Sequence, residues 1–336
     1  VKVNASLIAD LRSVPGRIEE IEALGYDAAF SAEINSDPFF PLLLAAEHSE
    51  RVDLMTAVSV AFARTPMTVA SLAHDLNRYS AGRLILGLGS QIEAHITKRF
   101  SMPWSKPAAR MREFVLALRA IWDCWGQGTR LEFRGEFYQH TLMTPMFVPA
   151  RTDFPPPRVH LAAVGPLMTE VAGEIADGLV AHGFTTERYL REVTLPAVNR
   201  GLARAGRARS AFDISAPIVA VSGLDEEAFV KSREIVKMQL AFYGSTPAYK
   251  AVLDLHGWGD LQPTLHRLSR QGKWQEMGNL IDDEFLETFA IVCQDPRQIA
   301  PRFAQRYAGL IDTWQCTVDL PDRAVQSELV RAVQRL

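Results

Sequence analysis

Arg83-Leu84-Ile85-Leu86-Gly87-Leu88 is the stretch on which the fold turns. After Arg83 the run holds only apolar residues and one glycine. A strand with one wet face would alternate, so an unbroken apolar run fits a strand covered on both faces, as in a parallel sheet. Thr65-Pro66 opens a helical pattern before it, ending near Tyr79, and another runs over 108–125 after it. A strand framed by helices is part of a βαβ repeat, and the same rhythm continues in both directions.

Towards the N-terminus, strands are expected at 3–7, 26–31 and 52–61. The helices between them run over 15–24, stopped by Gly25, and from Asp37-Pro38 to His48. Asp37 reads as an N-cap and Pro38 as the first helical residue. Towards the C-terminus, strands are expected at 159–164, 179–182, 213–221 and 310–316. Helices are expected at 168–176, 188–205, 225–242 and 296–307. Eight strands in this alternation predict an α/β fold, a (β/α)8 (TIM) barrel occupying 1–336 as one domain.

Two segments break the rhythm, 126–157 and 243–294. The first contains an alternating stretch, 130–139, that reads as a hairpin turning at Gly135-Glu136. Long ordered loops in a compact domain carry function. Both segments are rich in aromatics and leucine and are expected to cover the C-terminal end of the barrel, with Trp104, Phe184 and Trp258 as wall residues or simple packing.

Composition narrows the function. With 48% hydrophobic and 22% charged residues the chain is an ordinary globular protein. A net charge of -3 without a basic stripe argues against nucleic-acid binding. The three cysteines form no CxxC pair, so a reducing, cytoplasmic setting is expected. No apolar run approaches the ~18 residues a membrane span requires, and the visible start has no signal-peptide pattern.

In such a barrel the site lies at the C-terminal ends of the strands. The residues there are small, apolar or neutral, a lining that suits a flat aromatic cofactor better than a metal. There is no HExxH, and no histidine pair sits at ligand spacing beside a carboxylate, so no metal is expected. Gly87 and Gly89 form GxG without the third glycine of a dinucleotide fingerprint; close backbone packing is the other reading. Ala162-Ala163-Val164-Gly165-Pro166 is a strand-to-helix turn. It is either ordinary or an anion site formed by the amides of Val164, Gly165, Leu167 and Met168. Glu33, just past the second strand, is either a proton acceptor or a solvated loop acid. Gln91 and His95 would share a face if the chain turns helical there; His95 then hydrogen-bonds a ligand or is merely solvated.

Several pieces, in this order and spacing, resemble the bacterial-luciferase-like flavin and deazaflavin oxidoreductases over nearly the whole chain. They are Gly25-Tyr26-Asp27, Asp37-Pro38-Phe39, Ala63-Arg64-Thr65-Pro66, the strand from Gly82 to Gly89, Ala162-Ala163-Val164-Gly165-Pro166 and Ala176-Asp177-Gly178. The stretches 62–68, 90–95 and 243–249 are most similar to the branch that uses the deazaflavin coenzyme F420. The resemblance implies a (β/α)8 barrel, often a homodimer, acting on a small-molecule substrate by hydride transfer at the deazaflavin C5. An FMN-dependent monooxygenase is the alternative, and a non-catalytic cofactor carrier or a metal-dependent hydrolase are further ones. It also implies a cis peptide at Ala57-Val58 behind the cofactor ring and a ring edge lined by Ser90 and Gln91. It places the phosphate at Val164, Gly165 and Met168, and His182 and Thr185 at the same mouth. Glu33, His95 and His182 become the candidate catalytic residues. The family's histidine near the end of the second strand is absent; Ala32-Glu33 stands there. No basic set for a phosphorylated substrate aligns.

Overall fold

The computed structural model describes residues 1–7 and 10–336. Eight parallel strands form the barrel: β1 (Lys2–Ser6), β2 (Ala28–Ser31), β3 (Asp53–Thr56), β4 (Leu84–Gly89), β5 (Arg158–Ala163), β6 (Gly178–Ala181), β7 (Asp213–Ala216) and β8 (Thr313–Cys316). Hydrogen bonding runs β3-β2-β1-β8-β7-β6-β5-β4, and β4 pairs back onto β3, closing the sheet. The helices α1 (Val14–Leu24), α2 (Phe39–Glu47), α3 (Pro66–Tyr79), α4 (Pro107–Gln127), α5 (Pro166–Ile175), α6 (Leu195–Arg204), α7 (Ile299–Tyr307) and α8 (Arg323–Gln334) accompany them. The expected (β/α)8 barrel is present.

Alternation along each strand divides the core in two. Leu54, Leu86, Leu161, Leu179, Ile214 and Trp314 face outward and are buried against the helices. Phe30, Met55, Ile85 and Val180 face inward and meet inside the barrel.

Three expected elements break where the chain chemistry or register breaks. The strand expected over 52–61 stops at Thr56 and resumes at Ser59–Val60. Met55 pairs Ile85 and Ser59 pairs Leu88, so four steps on one strand face three on its neighbour: a bulge of one residue. The strand expected over 213–221 ends at Ala216, because Pro217 has no N–H for the ladder. Its continuation, Val219–Val221, pairs in parallel with Ala290–Val292. The helix expected over 188–205 widens into a π turn at Leu190–Thr194, just before Pro196, which has no amide for the carbonyl one turn back. Helix α2 begins at Phe39 instead of Pro38, and Asp37 Oδ1 accepts the Phe39 N–H at 2.8 Å.

The hairpin of the first irregular segment is formed by Phe133–Arg134 and Gln139–His140. The Glu113 carboxylate of α4 accepts the amides of Glu136, Phe137 and Tyr138 at its turn. Further on, Asn77 of α3 donates to the Pro155 carbonyl at 2.9 Å. These contacts lay the segment along α3 and α4, and Arg110 links its Tyr138 to Phe62. The second segment packs Leu265 and Phe289 with Phe184 and Leu240 into a separate apolar core beside the ends of β5 and β6.

Candidate functional site

The site is built on the bulge after β3. The Ala57-Val58 peptide is cis. Ala57 N–H donates to Ser31 O at 2.7 Å, and Val58 O accepts the Glu33 amide at 3.1 Å. Two glycines let the bulge lie this close to β4. A Cβ on Gly87 would stand 1.8 Å from the Thr56 carbonyl oxygen, and one on Gly89 would stand 2.7 Å from Val58 Cγ2. The GxG pair serves close packing. Beneath Ala57, Val58 and Ala162 lies the inward cluster of Phe30, Met55, Ile85 and Val180, an apolar floor.

Glu33 fastens the bulge to the loop after β2. Its Oε2 accepts the Val60 amide at 2.8 Å and pairs with Arg64 at 2.6 Å. The other arm of the same guanidinium reaches Asp37 at 2.8 Å. The Glu33 and Arg64 side chains are only 8% and 14% exposed, so this ion pair is largely withdrawn from water. Glu33 is thus neither a free acid nor a solvated one, but an anchor. Arg64 was invisible in that role, because the pairing spans 31 residues and appears only when β2 and β3 lie side by side.

At the end of β4, Ser90 Oγ donates to the Gln91 carbonyl at 3.1 Å, and Gln91 adopts a positive φ of 59°. The helix that follows, Glu93–Lys98, starts after Gln91. The condition for Gln91 and His95 to share a helix face is therefore not met, and they do not share one. The exposed His95 ring has no partner among the described residues, and it is not brought to Glu33 or His182.

The β5–α5 turn carries Gly165 as N-cap and Pro166 in the first turn. Gly165 O accepts both the amide (3.2 Å) and the hydroxyl (2.9 Å) of Thr169. The amides of Leu167 and Met168 lie in the first turn, where no helical carbonyl reaches them. A Cβ on Gly165 would meet nothing within 4 Å, so the turn is open above. Val164 is half-buried, and its carbonyl accepts the Tyr189 hydroxyl at 3.3 Å.

β6 extends its inward face to His182, two residues beyond Val180. Nδ1 of His182 accepts the Phe184 amide at 3.0 Å, so the ring proton sits on Nε2. Tyr249 lies over the ring with centroids 4.3 Å apart, and Tyr243 meets it edge-on at 4.8 Å. Burial pushes the imidazole pKa down to about 4, so the ring is neutral at pH 7. Nearby, Thr185 Oγ1 is buried without a hydrogen-bond partner among the described residues. Thr186 Oγ1 and His256 Nε2 are 2.8 Å apart.

The opposite end of the barrel holds a cavity of about 630 Å³ lined by Asp53, Arg158, His160, Asp213 and Asp312 among others. Within it Arg158 pairs with Asp53 and Arg209 with Asp312. Among the described residues no three His, Cys, Asp or Glu side chains are grouped to hold a metal, and no helix is long and apolar enough to cross a membrane.

The luciferase-like monooxygenase family matches residues 3–313. The chain belongs to this family. Membership makes it an oxidoreductase of the luciferase-like kind. An uncharacterized protein of Mycobacterium tuberculosis is 53% identical over 93% of this chain and 92% of its own. The F420-dependent glucose-6-phosphate dehydrogenase of Intrasporangium calvum is 31% identical over 57% of this chain and 60% of its own. The F420-dependent tetrahydromethanopterin reductase of Methanopyrus kandleri superposes with a TM-score of 0.79 at 22% identity, covering 98% of this chain and 96% of that one.

Proposed function

We propose that this luciferase-like protein is an F420-dependent oxidoreductase acting on a small organic substrate. The observation that carries the reading is the open β5–α5 turn beside an apolar-floored bulge. The residues present fit the cofactor. Ala57 and Val58 would back its ring, with Ser90 and Gln91 at the ring edge. The turn at Val164, Gly165 and Met168 would take its phosphate on first-turn amides, and the unpartnered Thr185 hydroxyl would donate to it or accept from it. When bound, the deazaflavin supplies hydride chemistry at C5. The chain orients and encloses. Glu33 and Arg64 hold the bulge in place, and His182 presents a single N–H. The F420 dependence of the Intrasporangium calvum relative supports this cofactor. FMN is the alternative, because a structural neighbour, a riboflavin lyase, is described with a modified FMN.

Titration of the chain with F420 and with FMN, followed by tryptophan quenching, separates the two. Tight binding of F420 with none of FMN is expected. Gly165→Asp places a carboxylate in the open turn and should weaken F420 at least tenfold, about 1.4 kcal/mol, without lowering the melting temperature. Binding of FMN alone overturns the cofactor assignment.

The same reading includes a homodimer. Phe40, Leu43, Leu72 and Tyr79 are exposed along a groove between α2 and α3. Asp75 and Arg78 border this groove, and neither is in an ion pair among the described residues. A two-fold contact presents one patch to itself, so each aspartate would meet the other copy's arginine as the apolar faces close. Light scattering should give a dimer for the native chain and a monomer for Leu72→Asp; a monomeric native chain ends this assignment.

A further inference from the structure

We infer that His182, with Tyr243 and Tyr249, forms a subsite for a flat, uncharged, carbonyl-bearing compound, with the His182 Nε2–H donating to the carbonyl oxygen. The inference rests on the reading of the barrel mouth as the ligand site and adds the class of compound that enters it.

The imidazole is fixed in one tautomer. The Phe184 amide occupies Nδ1, which leaves one donor and no ring acceptor. That donor has no partner among the described residues. The low pKa keeps the ring neutral, so an anion finds no positive charge there. Tyr243 and Tyr249 enclose the ring from two sides, and burial keeps the Tyr249 phenol protonated, its pKa pushed up to about 12. The Tyr243 hydroxyl accepts from Gln239 Nε2 at 3.0 Å, which fixes that edge of the wall.

The wall is rigid because of what stands behind it. Phe184 stacks on Phe289 at 4.5 Å, Phe289 on Phe285 at 4.6 Å, and Trp258 lies against Phe285 at 4.7 Å. An aromatic stack of this depth gives the two tyrosines little room to turn away. A flat apolar ligand gains from lying on such faces. A carboxylate or phosphate would surrender its hydration and find no cation in the wall to replace it. An N–H that the chain itself leaves unpaired favours a ligand carrying an acceptor over an isostere lacking it.

Three probes test the inference on the full-length protein with F420 present: acetophenone, α-methylstyrene (the same shape with CH₂ in place of the carbonyl oxygen) and benzoate. Binding is read by ligand-observed NMR and by the ¹⁵N shift of the His182 imidazole. Acetophenone should bind at least tenfold more tightly than either other probe and move the Nε2 resonance. His182→Phe should abolish the discrimination between acetophenone and α-methylstyrene, and His182→Gln, which keeps an N–H, should restore part of it. Equal affinity for those two probes in the native chain, or discrimination that survives His182→Phe, overturns the inference. F420 affinity is measured separately. Its absence with the acetophenone preference intact would remove the cofactor assignment and leave the subsite standing.

Discussion

Arg64→Ala should lower the unfolding free energy by about 3–5 kcal/mol, the cost of stripping one partner from a largely buried ion pair. The carboxylate left behind, Glu33, is enclosed by the bulge and among the described residues keeps only the Val60 amide and a long contact from Ser59 Oγ at 3.4 Å. Much of the loss is therefore the uncompensated charge, not the vanished contact. Glu33→Leu combined with Arg64→Ala should cost less than Arg64→Ala alone, because the double variant buries no lone charge. Chemical denaturation of the native chain, both single variants and the double variant supplies the cycle. The functional effect should go the same way. The bulge carries Ala57 and Val58, so on the proposed function its loosening should also weaken the proposed F420 binding, although Arg64 does not touch the cofactor in that reading. An Arg64→Ala variant as stable as the native chain would show that the pair does not hold the bulge.

Gly87→Ala should be at least as damaging, about 4 kcal/mol or more, at the upper end of what a single added methyl does. The atom in its way, 1.8 Å from the new Cβ, is the Thr56 backbone oxygen, which cannot rotate aside. β3 and β4 would have to part where Thr56 Oγ1 donates to Gly87 O at 2.7 Å, directly before the bulge. Gly126→Ala is the control. It lies near the C-terminus of α4 with nothing within 4 Å of the added Cβ, and alanine there should be neutral or stabilise by about 0.5–1 kcal/mol. Thermal unfolding distinguishes the two. A Gly87→Ala protein melting with the native chain would refute the close approach of these strands.

The barrel was legible in the sequence because its cause is local. Apolar runs such as 84–88, proline at helix starts and glycine at helix ends are written residue by residue. Breaks were harder to read. Pro217 sits in plain view inside the expected strand 213–221, yet the new partner of Val219–Val221 lies some 70 residues away at Ala290–Val292. The resemblance to the luciferase-like family located the cis bond at Ala57-Val58, which apolar periodicity had merged into one strand. Side-chain partnership was the least legible. Glu33 looks isolated in the sequence because Arg64 meets it only across two strands, and Gln91 and His95 would share a face only in a helix that included Gln91, whereas the helix begins at Glu93. His182 was placed at the mouth, but its enclosure by Tyr243 and Tyr249 depends on how the second irregular segment folds back.

The pairing of Val219–Val221 with Ala290–Val292 joins the two ends of that long excursion, aided by Cys293 N–H donating to Val221 O at 3.0 Å. Departure and return thus lie side by side, like the two posts of a gate. Length added or removed between the posts leaves the spacing of β7 and β8 unchanged. The walls over the C-terminal end of the barrel are thus tied off as a cassette of their own, above a cradle whose shape is set by the strands beneath.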